Sequence, residues 1–140
     1  MSDSATTAGV FARRLGALDS VFDFIARFVA PIEGGSRVLH DLQLAVEEIF
    51  ANMVRHNAHG KGEIGIEARF NNGEIVVRIT DSDSPRFDIL AQAPAVNPSA
   101  PLAERKPGGL GIYLVKQLMD RVEYDYHDGA STITLHKRMN

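Results

Sequence analysis

The chain has no cysteine, and this one absence removes disulfides, thiolate metal sites and a cysteine nucleophile. Any chemistry falls to carboxylates, hydroxyls, histidines or a bound cofactor. A basic excess is also lacking: a net charge of -3 gives no global basis for nucleic-acid binding, and none is expected. No apolar run is long enough to cross a bilayer, and the opening "MSDSATTAGV" lacks the basic and apolar regions of a signal peptide. The expectation is a cytoplasmic protein with no membrane contact. The phosphate-binding loop GxxxxGK[ST] is missing as well, so a bound nucleotide needs another cradle.

What is present fits one soluble domain over 1–140, with 44% hydrophobic and 24% charged residues. Residues 1–8 are small and polar and are expected to fray, with "GVFARRL" forming a short edge strand. Val21, Phe22, Ile25, Phe28 and Val29 recur at helical spacing, with Asp19 or Ser20 as N-cap and Pro31 and Gly34-Gly35 as the stop. Ser36 is the expected cap of a second helix, striped by Val38, Leu42, Ala45, Val46, Ile49 and Met53 until "NAHGKG" ends it. "GEIGIEARF" and "EIVVRITD" alternate with the period of half-buried strands, and "NNG" between them predicts a hairpin. Five of the six prolines fall between residues 82 and 107, where periodicity vanishes, which predicts a functional lid or a linker. "GGLGIYLVKQLMD" then predicts a glycine-rich start to a helix with Leu114, Val115, Leu118 and Met119 on one side. "RVEYDY" and "STITLHK", turning at Asp128-Gly129, predict a last hairpin in which Tyr124, Tyr126 and His127 lie at a sheet edge. Hairpins and layered helices together favour α+β, with mainly antiparallel pairing, over a doubly wound parallel sheet.

The second helix carries polar residues inside its apolar run, in "LAVEEIFANMVRHNAHG". At about 100° per residue, Glu48 lies about 100° and Asn52 about 60° to the same side of Ile49, whereas Glu47 falls about 160° away on the solvent face. Glu48 and Asn52 are therefore partners. His56 returns near the centre of the stripe, where it either seals the core or approaches the same site. A carboxylate and a carboxamide one turn apart suit metal-assisted phosphoryl transfer: Asn52 offers Mg²⁺ a neutral oxygen, and Glu48 can take a proton from an attacking hydroxyl. Gly108, Gly109 and Gly111 at a helix start suit phosphate oxygens, because backbone amides can approach closely there. GGLG alone is unspecific, and both carboxylate and amide also suit the border of an amphipathic face.

Taken in order, "EEIFANMVRH", "DSDSPRFD" and "GGLGIYLVKQLMD" resemble the N, G1 and G2 boxes of the GHKL ATPase superfamily. Within it the chain looks most like the small anti-sigma-factor serine kinases of bacterial partner-switching systems, the RsbW type. The resemblance implies a Bergerat-type two-layer sandwich, a mixed and mainly antiparallel sheet with three helices on one face. It further implies ATP and Mg²⁺, with Glu48 as general base, Asn52 as metal ligand, His56 at the histidine position after the N-box, and Asp81 accepting from the adenine amino group. Gly108, Gly109 and Gly111 would line the triphosphate, and residues 82–107 would be the ATP lid. The implied partners are a STAS-domain anti-anti-sigma substrate, a sigma factor to be sequestered, and a second copy in a homodimer. Two departures stand out. Asp83 occupies the position where the G1 box normally has glycine, making it the reserve for the adenine contact, and neither Arg14 nor Arg27 lines up with the phosphate-transfer arginine of related kinases. These leave two alternatives: an ATP-gated binding module without phosphotransfer, and an α+β domain without nucleotide.

Overall fold

The computed structural model describes residues 4–84 and 109–139. The elements follow the order read from the sequence: β1 (Ala5–Phe11), a 3-10 turn (Leu15–Ala17), α1 (Leu18–Val29), α2 (Ser36–His56), β2 (Ile64–Asn71), β3 (Glu74–Asp81), α3 (Gly109–Leu118), β4 (Arg121–His127) and β5 (Ala130–Arg138). The strands form one sheet in the order β1-β2-β3-β5-β4. Every pairing is antiparallel, so the expected mixed character is absent among the described strands. Both tight hairpins turn on residues with positive φ, Asn72 with Gly73 and Asp128 with Gly129. Two consecutive left-handed residues match the twist of the flanking strands, which is why Asn-Gly and Asp-Gly occur there.

One sheet face receives the helices. Ile64, Ile66 and Ala68 of β2, Ile75, Val77 and Ile79 of β3, and Ile133 and Leu135 of β5 are all buried. Cross-strand register aligns them, Ile66 with Ile79 and Ile79 with Ile133. Against this surface pack Val21 and Ile25 of α1, Leu42, Val46, Ile49 and Phe50 of α2, and Ile112 and Val115 of α3. The central helix α2 touches α1 on one side and α3 on the other. Phe11 and Phe24 meet edge to face at 5.4 Å and fasten α1 to the edge strand.

Several local expectations need correction. The segment 5–8 does not fray: it pairs with β2 from Ala5 opposite Phe70 onward, which satisfies the outer edge of that strand. Neither Asp19 nor Ser20 caps α1. The preceding 3-10 turn runs into the helix, and Arg14 and Leu15 carbonyls accept from Ala17 and Leu18, so Asp19 lies in the first turn instead. Ser36 is likewise the first helical residue, because the Gly34 and Gly35 carbonyls already accept from the N–H groups of Arg37, Val38 and Leu39. The buried stripe of α3 is Ile112 and Val115, continued by Met119 just past its end at spacings of three and four, which turns Leu114 outward to 39% exposure. Tyr124, Tyr126 and His127 do lie on β4, an edge strand.

Candidate functional site

Glu48 and Asn52 occupy the same side of α2, one turn apart. Asn52 is 1% exposed, and its Nδ2 donates to the backbone carbonyl of Glu48 at 2.8 Å. That bond spends the donor half of the amide on its own helix and leaves the carbonyl oxygen as the half suited to a cation. The Glu48 carboxyl is half-buried, and its pKa is raised by that burial and by Glu47, with Arg55 opposing. Glu47 itself is half-buried instead of fully solvated.

The first turn of α3 lies directly on Glu48. A Cβ added to Gly111 would stand 2.6 Å from the Glu48 Cδ and overlap the carboxylate, so any larger residue there would push the Glu48 carboxylate aside. Gly109 is the first residue of α3, and Gly108 lies outside the described residues. The expected lid falls outside them too, except for Ser82, Asp83 and Ser84. Ser84 is tied to the last hairpin by its N–H to the Gly129 carbonyl at 3.0 Å and by its carbonyl, which accepts from Tyr126 Oη at 3.2 Å.

The other end of the site lies at the C-terminus of α2. Asn57 lies nine positions after Glu48, about 14 Å along a helix. There Asp81 ends the inward-facing series Ile75, Val77 and Ile79, so the alternation of β3 turns its carboxylate toward the helices, where it is 1% exposed. A buried carboxylate needs partners. Arg13 supplies two, with Nη2 to Oδ1 at 2.6 Å and Nη1 to Oδ2 at 2.8 Å, and the two side chains are 5% and 2% exposed. The Asp83 N–H donates to Oδ1 at 3.1 Å and Asn57 Nδ2 to Oδ2 at 3.4 Å. Arg13 also reaches the carbonyls of Asn57 at 3.5 Å and Lys61 at 3.2 Å, and its hydrogen bond to Asp81 raises its pKa against the opposing effect of burial. Asp83 is exposed: its carboxylate accepts from the Lys61 N–H and its carbonyl from Asn57 Nδ2.

The structure therefore brings Glu48, Asn52 and Gly111 together and places Asp81 at the far end of the same helix. His56 does not seal the core. It is exposed on the last turn of α2, which runs past the packed layer, and its pKa is lowered by the burial it retains and by Arg55. Arg13 and Asn57 escaped the sequence reading, although Asp81, as the one acid on the inward face of β3, signalled that a buried cation was needed. A cavity of about 750 Å³ at the Asn72-Gly73 end of the β2–β3 hairpin contains none of these residues.

No three His, Cys, Asp or Glu side chains converge as a metal cage among the described residues. Magnesium fits such a site, because it typically takes one or two protein oxygens and completes its shell with phosphate and water. The same residues contain no helix long and apolar enough to cross a membrane.

The chain is similar to several known proteins. Serine-protein kinase RsbW of Listeria innocua is 31% identical over 100 residues, covering 68% of this chain and 63% of that protein. Serine-protein kinase RsbW of Bacillus subtilis is 33% identical over 106 residues, covering 73% and 66%. The chain thus spans a little under two thirds of the length of these relatives. The crystal structure of the RsbU and RsbW domains of a Mycobacterium tuberculosis protein superimposes with a TM-score of 0.66 at 16% identity, covering 96% of this chain and 32% of that one. A chain of the SiaB-SiaC complex from Pseudomonas aeruginosa gives 0.63 at 12% identity, covering 94% and 87%. These two likenesses concern the fold. Residues 11–137 match the family described as Histidine kinase-like ATPase domain, a span that takes in every element around Glu48, Asn52 and Asp81, and the chain belongs to that family.

Proposed function

We propose that the chain is a cytoplasmic ATP-dependent serine-protein kinase of a partner-switching system. It transfers the γ-phosphoryl group of ATP to a serine of a STAS-domain anti-anti-sigma protein and sequesters a sigma factor when that antagonist is phosphorylated. The observation that carries this reading is the Glu48–Asn52–Gly111 cluster: a half-buried carboxylate with a raised pKa, a carboxamide whose oxygen is free for a cation, and a glycine at the helix start that leaves the carboxylate its place. The likeness to serine-protein kinases named RsbW supports it.

In this reading Asn52 would hold the Mg²⁺, which would supply neutralisation of phosphate charge. Glu48 takes the serine hydroxyl proton as the oxygen attacks. Gly108, Gly109 and Gly111 line the phosphates, with residues 82–107 as the lid of a single domain. Asp81 receives the adenine amino group, and the length of α2 between Glu48 and Asn57 separates the phosphate end from the base end. His56 lies beside the base end, exposed on the last turn of α2. Added phosphate charge on the antagonist weakens its contact and frees the kinase for the sigma factor. A homodimer is the expected assembly.

The test is phosphotransfer to a cognate antagonist. Glu48→Gln should abolish serine phosphorylation while nucleotide binding persists. A second reading is an ATP-gated module without phosphotransfer: Arg13 takes both oxygens of the aspartate assigned to adenine, which ties nucleotide entry to the opening of that pair. A wild type that binds ATP but never phosphorylates the antagonist would establish that alternative.

A further inference from the structure

We propose that Arg13 is a latch over the base-recognition carboxylate and sets the affinity of the chain for its nucleotide, an inference that rests on the assignment of Asp81 to the base. A carboxylate has about four lone-pair positions. All four at Asp81 are accounted for, by Arg13 Nη1 and Nη2, the Asp83 N–H and Asn57 Nδ2. An incoming amino group finds no vacant acceptor, so a donor must leave before a base can bind.

Arg13 is the donor that governs this. It alone takes both oxygens, at 2.6 and 2.8 Å, and it alone neutralises the charge that makes Asp81 a strong acceptor. Asn57 is the weakest of the four at 3.4 Å, and its departure leaves the ion pair in place. Arg13 also carries the signs of a replaceable partner. Its Nε is buried with no hydrogen-bond partner, a cost that the closed state bears and release removes. Its remaining bonds go to the carbonyls of Asn57 and Lys61, in the connection that follows α2, and that connection is fastened to Asp83 by the Lys61 N–H. Arg13 thus closes a clasp between the segment after β1, the segment after α2 and the end of β3. Opening it exposes the base contact and frees Asp83, at the start of the expected lid, in one movement.

The test is calorimetric titration of the full chain at low temperature with Mg-ATP and, separately, with inorganic tripolyphosphate. It compares wild type with Arg13→Gln and with Arg13→Lys, which keeps the charge but loses the fork, and circular dichroism verifies folding of each. Removing the competitor should tighten ATP binding about ten-fold in Arg13→Gln, with Arg13→Lys in between and tripolyphosphate unchanged. A role confined to holding the fold together would weaken both ligands instead. Equal or weaker ATP binding by both variants overturns the latch while leaving the nucleotide reading intact. A gain shared by tripolyphosphate also overturns it, because the effect would then lie away from the base. Absence of ATP binding in wild type and variants alike overturns the latch and the nucleotide reading together.

Discussion

Replacing Arg13 with methionine removes one half of an ion pair whose side chains are 5% and 2% exposed and leaves Asp81 buried with only two neutral donors. Breaking a buried pair from one side costs about 3–5 kcal/mol, because the remaining charge stays desolvated. Against a total stability of about 5–15 kcal/mol for a domain, this is a large fraction. For a chain of this size it corresponds to a fall in Tm of about 10–15 °C. The double variant Arg13→Met/Asp81→Leu should recover most of that loss, since an apolar pair of similar volume incurs no charge burial. Thermal and urea unfolding of the two singles and the double complete a cycle that isolates the coupling between the residues. A cost below about 1 kcal/mol for Arg13→Met would refute the reasoning, because that is the range of a solvent-exposed pair.

Glu48→Gln should stabilise the fold near neutral pH. The folded-state pKa of Glu48 is raised by burial, so the folded chain holds a proton that the unfolded chain has released, and stability falls as pH rises from the ordinary glutamate range through the raised value. The gain in Tm should therefore be present at neutral pH and vanish in acid; a gain independent of pH would contradict this origin. Gly111→Ala should change stability little, since a helical propensity gain of about 1 kcal/mol offsets displacement of the Glu48 carboxylate, yet phosphotransfer should fall steeply. Unfolding curves and antagonist phosphorylation measured on one preparation check both halves. Leu42→Ala, at a fully buried position of α2, should cost about 2–5 kcal/mol in urea denaturation.

Much of the fold was legible because its elements bury one face each. The alternation in β2 and β3 and the Asn-Gly and Asp-Gly turns are local signals, and the structure follows them closely. Helix caps were less legible: Asp19, Ser20 and Ser36 are good capping residues, but backbone carbonyls from the preceding turns had already taken the N–H groups. Leu114 was misplaced because the glycines at the start of α3 leave its apolar stripe with few residues to define its centre. That Glu48 and Asn52 share one side of α2 was readable from helical angle alone, whereas Gly111 against Glu48 depends on how α2 and α3 cross. Arg13 meets Asp81 across 68 positions of sequence, and no periodicity encodes such a pair. Only the burial of an acid at the end of β3 hinted that a cation had to come from elsewhere.

The central claim is that magnesium and nucleotide bind on the Glu48–Asn52 side of α2. Calorimetry of ATP with and without Mg²⁺, on wild type and on Asn52→Ala, tests it most directly. The account predicts binding that depends on magnesium in the wild type and is markedly weakened by the substitution. ATP binding indifferent to both magnesium and Asn52, or no binding by a folded wild type, would contradict it.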